Sequence, residues 1–255
     1  MEVAVLFPLY RRAVREATRV AVATIFVPLI LPLFMLFIFA RVFASLVGVP
    51  GFSHGVEYSA YVAPAIVLMG AMLGSPTAGV STAVELQTGF FERMRLSPAG
   101  CNPSLVARRL ADCTRLAFFA VVLVLAARLD GVPIHNWALA LAVTVVLSAW
   151  WGVSYGGLSL SACLRTSSAE TSQALVPLFF PILFMSTAFV PMKLLPGWLQ
   201  PIARYNPVTY LSDTIRASFA GHVVFSSLWR AVLGTVIVMV LTQTLVWRAK
   251  TRLEA

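Results

Sequence analysis

Apolar residues run through this chain in long blocks separated by short charged stretches. A transmembrane helix needs roughly 20 mostly apolar residues to cross a hydrocarbon core about 30 Å thick. The pattern predicts six such segments: 20–40, broken by Pro28 and Pro32; 58–84; 106–127; 137–164; 171–192; and 231–247. The third is free of charge only from Leu116 to Ala127, since Arg108, Arg109, Asp112 and Arg115 fall on its first turns. Those turns are expected to protrude from the bilayer, with the long side chains snorkelling towards water. The predicted fold class is therefore all-α, a polytopic membrane bundle of six helices. The first block is too long for a signal peptide, and no clear small-x-small cleavage site follows it.

A different periodicity precedes the first block. From Ala4 to Thr18, Leu6, Tyr10, Ala13, Val14 and Ala17 recur at three- and four-residue steps, and Arg11, Arg15 and Arg19 follow a separate stripe. Apolar residues on one face and arginines on another suit a helix lying in the headgroup plane. The domain organisation expected is an amphipathic helix over 1–19 and a membrane domain over 20–252.

Composition supports lipid as the solvent. Of 255 residues, 59% are hydrophobic and only 11% charged, against roughly 25% charged in a typical soluble domain. The net charge of +9 does not form a basic domain; the cations flank apolar blocks, so nucleic acid is not an expected partner. With the N-terminus inside, 13 Arg and Lys fall on the inner side and 6 on the outer, which favours two cytoplasmic termini. Lysine is scarce, two against 17 arginines, a bias that hints at a GC-rich bacterial genome.

Candidate chemistry is sparse. The charge-free cores argue against a proton relay or an arginine-rich voltage sensor. Neither lysine follows a glycine, so no P-loop exists and ATP-driven work would require hydrolysis on another polypeptide. Gly152-Val-Ser154-Tyr-Gly156 matches a G-x-S-x-G elbow, but inside an apolar helix without an acid or histidine at that depth. Its glycines, like Gly70 and Gly74, instead suit close helix packing. Cys101, Cys113 and Cys163 lack metal-ligand spacing, and His54, His135 and His222 fall in predicted external loops. No catalytic residue and no metal site are expected.

Two segments carry more information. The second inner segment, Glu85 to Pro98, predicts a short helix after Gly89, with Phe90, Phe91 and Met94 on its apolar side and Glu92, Arg93 and Arg95 exposed. Such a helix suits docking onto a soluble partner. After the fifth block, Asn206 is a good N-cap and Pro207 suits the first helical position, with Gly221 ending the helix. A second short helix is expected near Pro196, making a hairpin that dips into the outer leaflet. Asp213 and Arg216, three apart, are placed to pair.

The run Ser186-Thr187-Ala188-Phe189-Val190-Pro191, then Leu195-Pro196-Gly197-Trp198, then Asn206-Pro207-Val208-Thr209 and Arg216 resembles the C-terminal signature of ABC-2 type permeases, in particular the daunorubicin-resistance-type drug exporters. Gly89 to Pro98 resembles their coupling segment, with Met94 where leucine is more usual. The resemblance implies a membrane subunit that pairs with a second permease copy or a homologous permease and binds a separate ATPase subunit, which holds ATP and Mg; this chain binds no cofactor. It implies a coupling helix at Gly89, Phe91, Glu92, Arg93, Arg95 and Pro98, and a connecting helix around Arg11, Arg12 and Arg15. The hairpin with Pro191, Pro196, Trp198, Asn206, Pro207, Asp213 and Arg216 would shape the external exit. Export of a drug, antibiotic or lipid across the bacterial cytoplasmic membrane is the function implied. Polysaccharide export and a non-transporting scaffold are the alternatives.

Overall fold

Why the apolar blocks become helices, and where prolines interrupt them, sets the architecture. The computed structural model describes residues 2–19, 21–42, 58–96 and 101–254. Helix α1 spans Glu2–Arg19. A π turn, Val22–Phe26, leads into α2, Val27–Val42; the widened turn leaves room for the Pro28 ring, which would otherwise press on the carbonyl four residues back. The Val5–Arg19 and Thr24–Phe39 axes are bent by 94°, so α1 lies across the direction of α2, as an interfacial helix ahead of a span would.

Helix α3, Tyr58–Gly74, and α4, Thr77–Gln87, together form the second apolar block. They are separated at Ser75-Pro76, where the proline lacks an N–H. A short helix α5, Phe90–Arg95, follows. The longer helices α6, Asn102–Leu129, α7, Trp137–Thr166, and α12, Phe225–Glu254, match the third, fourth and sixth blocks. Among the described residues, four helical segments (α3 with α4, α6, α7 and most of α12) are long and apolar enough to cross a membrane, and the bent pair α1–α2 would make a fifth. Among the described residues there is no strand.

The fifth block departs from the expectation of a span over 171–192. It forms α8, Ala169–Ala174, a 3-10 turn, and α9, which stops at Phe184. Pro177 and Pro181 each remove a backbone donor, and the last carbonyls of α9 are taken by another element. Asn206 Nδ2 donates to Ile182 O at 2.6 Å and Met185 O at 2.9 Å, and Ser186 Oγ to Leu183 O at 2.5 Å. A helix over 169–184 is about 24 Å long, short of the ~30 Å a straight crossing needs.

Small residues bring the helices together. A Cβ built on Gly70 would lie 2.6 Å from Leu123 Cδ1, and one on Gly74 2.7 Å from Phe119, so both glycines face α6. Gly152 and Gly156 sit against the end of α3 and the turn after it: a Cβ on Gly152 would lie 3.1 Å from Ala71 O and 2.7 Å from Leu116 Cδ1 of α6, and one on Gly156 3.0 Å from Ser75 O. Ser154 Oγ, between them, donates to Trp150 O at 2.8 Å within its own helix. The tightest approach is Gly79 on α4, where a Cβ would lie 2.4 Å from Ser159 Oγ and 2.7 Å from Ser159 O. A backbone atom cannot swing aside, so Gly79→Ala is expected to lower stability by about 1–3 kcal/mol. Thermal unfolding of the detergent-purified protein, followed by tryptophan fluorescence, reads it. Gly197→Ala, with no atom within 4 Å of the added carbon, should leave the melt in place; equal melts for the two variants would refute the close α4–α7 approach.

Candidate functional site

The polar residues gather at the two ends of the bundle. One end carries the described parts of both chain termini: Arg12 and Glu16 of α1 lie there, and Lys250 of α12 donates to Asn102 Oδ1 at the start of α6. Helix α1 rests on α6, with Ala13 buried and Tyr10 OH 3.0 Å from Thr114 Oγ1. Its arginine stripe is divided. Arg11 and Arg15 are exposed, whereas Arg12 turns inward, with its guanidinium 3.7 Å over the Phe90 ring of α5.

Gly89 starts α5 in the left-handed region, at φ +67°, a conformation glycine adopts without Cβ strain. That turn lays Phe91 into the bundle, 7% exposed, and leaves Glu92 and Arg93 on the surface. Arg93 Nη2 donates to Thr88 O at 3.0 Å, which closes the α4–α5 corner. Arg95 ends the helix, and Pro98 lies outside the described residues.

Behind α5 sits an ion network that sequence reasoning did not anticipate. Arg108 Nη2 lies 2.6 Å from Glu85 Oε1 and 3.2 Å from Glu16 Oε2. Arg12 closes the ring, with Nε 2.8 Å from Glu16 Oε1 and Nη2 3.4 Å from Glu85 Oε1. Four charges thus tie α1, α4 and α6 together, and Arg12 extends the tie to α5. Two turns deeper on α6, Arg115 Nη2 pairs with Asp112 Oδ1 at 2.8 Å and donates to Gly74 O at 2.9 Å. That carbonyl is available because the break at Pro76 sends the Ala78 N–H to Ser75 O instead.

These side chains correct the expectation that Arg108, Arg109, Asp112 and Arg115 snorkel towards water. Arg108 and Arg115 are each 7% exposed and turn into the bundle. The spacing held the signal. Residues 108, 112 and 115 continue at helical steps into Phe119 and Leu123, both fully buried, so the helical period places the charges on the packed face of α6.

At the opposite end, Asn206 caps α11, Pro207–Phe219: its Oδ1 accepts from Val208 N at 3.0 Å. Gly221, at φ +87°, follows the end of the helix. The preceding helix, α10, is Leu199–Tyr205. Pro196 and Trp198 are exposed ahead of it, and Pro191 O accepts from Leu194 N at 3.0 Å. Arg216 Nη1 pairs with Asp213 Oδ1 at 2.5 Å, and its Nε and Nη2 both donate to Tyr61 O at 3.2 Å. The guanidinium stacks 3.7 Å over the Tyr61 ring, and Tyr61 OH donates to Thr187 O at 2.9 Å. Partial burial, with the side chain 39% exposed, pushes the Asp213 carboxyl up from its ordinary range, and Arg216 pulls it partly back.

Between the ends, α7, α9 and α12 enclose an apolar groove of 970 Å³ that runs from Asn206 and Pro207 to Arg248, walled by Trp151, Ile182, Met185 and Leu245 among others.

A family model described as ABC-2 type transporter matches residues 5–220. The chain belongs to the ABC-2 type transporter family. Among its relatives is a putative transport permease, ycf38, of Porphyra purpurea, 26% identical over 196 residues, which cover 76% of this chain and 67% of the relative. The daunorubicin resistance ABC transporter permease protein DrrB1 of Streptomyces coeruleorubidus is 23% identical over 198 residues, 77% of this chain and 67% of its own length. The inner membrane transport permease YadH of Escherichia coli strain K12 is 25% identical over 222 residues, 84% and 82% of the two chains. As an ABC-2 member with long apolar helices, the chain is an integral membrane protein and a transport permease subunit. The family match spans both polar ends described above, from α1 to the end of α11.

Proposed function

We propose that this permease exports a lipophilic or amphipathic compound, a drug, antibiotic or lipid, driven by ATP and Mg held on a separate ATPase subunit. The ATPase docks on the end that carries α1 and α5, which faces the cytoplasm, and a second permease copy or homologue completes the pore across the bacterial inner membrane. The observation that carries this reading is the attachment of α5. Glu92 and Arg93 are exposed for a partner, while Arg12 over Phe90, and Arg12 and Arg108 on Glu85, join the same corner to α1 and α6. A displacement imposed on α5 is passed through charges and packed rings, so the helices it grips move as rigid bodies. The apolar groove suits a cargo bound chiefly by burial of its surface. At the other end, α10 and α11 shape the exit.

Reversing the two surface charges together, Glu92→Arg with Arg93→Glu, is expected to leave the bundle folded and to abolish efflux of a lipophilic dye. Co-purification with the ATPase and its hydrolysis rate are measured alongside. Hydrolysis that continues without efflux, or loss of the ATPase from the complex, supports the docking role. Unchanged efflux at normal expression refutes it.

A further inference from the structure

A second groove lies away from the first, on the face where α6, α7 and α12 meet. It holds 710 Å³, and its deeper wall is apolar: Ala117, Val145, Val146, Ala149 and Met239. Its charged and amide lining, Asn102, Arg109, Gln243 and Lys250, falls in the half nearer the chain termini, with Arg109 about 10 Å along α6 from Asn102, and Trp247 lies beside it, 66% exposed. No carboxylate lines it among the described residues. From Asn102 to Ala117 the groove follows α6 for about 22 Å, which is one leaflet with its headgroup layer, about 20–22 Å.

Arg109 is the notable lining residue. Nη1 donates to Val153 O at 3.3 Å, and the buried Nη2 has no hydrogen-bond partner among the described residues. Asp112, the nearest carboxylate on the same helix, is engaged by Arg115. Among the described residues Arg109 makes no ion pair, although Asp112 attracts it from the same helix, and Lys250, which donates to Asn102 Oδ1, supplies a second cation at the end that carries the chain termini.

We propose that this groove binds an anionic phospholipid, with an acyl chain along Val145, Val146 and Ala149 and the phosphate drawn to Arg109 and Lys250. Basic pockets between transmembrane helices on the cytoplasmic side recognise anionic headgroups in this manner. A tryptophan at the headgroup level is a further mark of that depth. The inference rests on the orientation proposed above but not on ATP-driven transport. Its ligand is a component of the membrane rather than the exported compound.

The test uses the full-length purified permease, delipidated in mild detergent, without ATPase or nucleotide, so its failure is separate from failure of the transport reading. Phosphatidylglycerol, phosphatidylcholine and inorganic phosphate are titrated separately, and thermal unfolding and retained lipid mass by native mass spectrometry are recorded. Phosphatidylglycerol is expected to raise the melting temperature and remain bound, whereas phosphatidylcholine does so weakly and phosphate not at all. Lys250→Gln, at the groove mouth, and Arg109→Gln should each weaken phosphatidylglycerol binding roughly fivefold. If Arg109→Gln fails to fold, Lys250→Gln carries the charge test. Val146→Trp fills the groove without touching a charge and should remove the lipid response. Equal responses to the two phospholipids, an equal response to phosphate alone, or a full response in Val146→Trp would each overturn the assignment. So would a Val146→Trp variant that loses an oligomer while the wild type shows no phosphatidylglycerol preference, since a second copy would then occupy the groove.

Discussion

Arg108→Ala is expected to destabilise the permease by about 3–5 kcal/mol, because it leaves a buried carboxylate without its partner. Glu85 is 6% exposed and receives Arg108 at 2.6 Å; its other cation, Arg12, is 3.4 Å away and shared with Glu16. Taking a carboxylate out of water costs several kcal/mol, and only a close, well-aligned cation offsets that cost. The apolar double replacement Arg108→Met with Glu85→Leu removes both charges at similar volume and should restore the melt to near wild type. Thermal unfolding and monodispersity in detergent read the three proteins. An Arg108→Ala variant that melts with the wild type would show that the ring does not hold α4 to α6.

The same double variant separates stability from transmission. It refolds the interface as an apolar contact and cuts the charged link from α1 and α4 to α6. Packed hydrocarbon can slide where a hydrogen-bonded ion pair holds a register. Efflux is therefore expected to stay reduced in Arg108→Met/Glu85→Leu at normal stability, with hydrolysis by the ATPase preserved. Wild-type efflux in that protein would confine Arg108 to a structural role.

How much of this was legible in the sequence differs from element to element. The capping residues of α11 could be read directly, because Asn206, Pro207 and Gly221 each act within a few residues of where they stand. The 94° corner between α1 and α2 followed from a change of periodicity, amphipathic to uniformly apolar. The early end of α9 could not be read in the same way. Its terminal carbonyls are taken by Asn206, some 20 residues later, and hydropathy contains no trace of that partner. Glu85 is a parallel case. It looked like the opening of an inner loop, yet α4 continues to Gln87 and buries it. Only Arg108, 23 residues on, makes burial of that carboxylate tolerable. Local chemistry is visible along the chain, whereas pairing between distant segments appears only when the helices are assembled. The charge-free cores read from hydropathy hold for the apolar centres, and the buried cations lie just outside them, on the first turns of α6.

At the far end, Arg216→Ala is expected to cost about 3 kcal/mol, from lost hydrogen bonds to a charged group and the lost stack on Tyr61. Arg216 joins α11 to α3 and, through Tyr61 OH, to the turn at Thr187. Lysine cannot reproduce two donors to one carbonyl together with a planar stack, so Arg216→Lys should recover only part of the loss. The defect is also expected to depend on pH. Burial already raises the folded-state Asp213 carboxyl above its unfolded value, and Arg216 is the group that restrains it. A raised carboxyl holds its proton more tightly in the folded protein. The stabilisation this gives is fully present below the ordinary carboxylate range and is lost as pH rises through the raised folded value. Without Arg216 that value moves higher still. Arg216→Ala should therefore gain more stability than the wild type when the pH is lowered, and adding Asp213→Asn should remove the extra gain. Melting curves across the acidic range for the wild type and the single and double variants measure this directly. A defect of constant size at every pH would show that Asp213 does not feel Arg216, and would leave the Tyr61 carbonyl and ring as the contacts that matter.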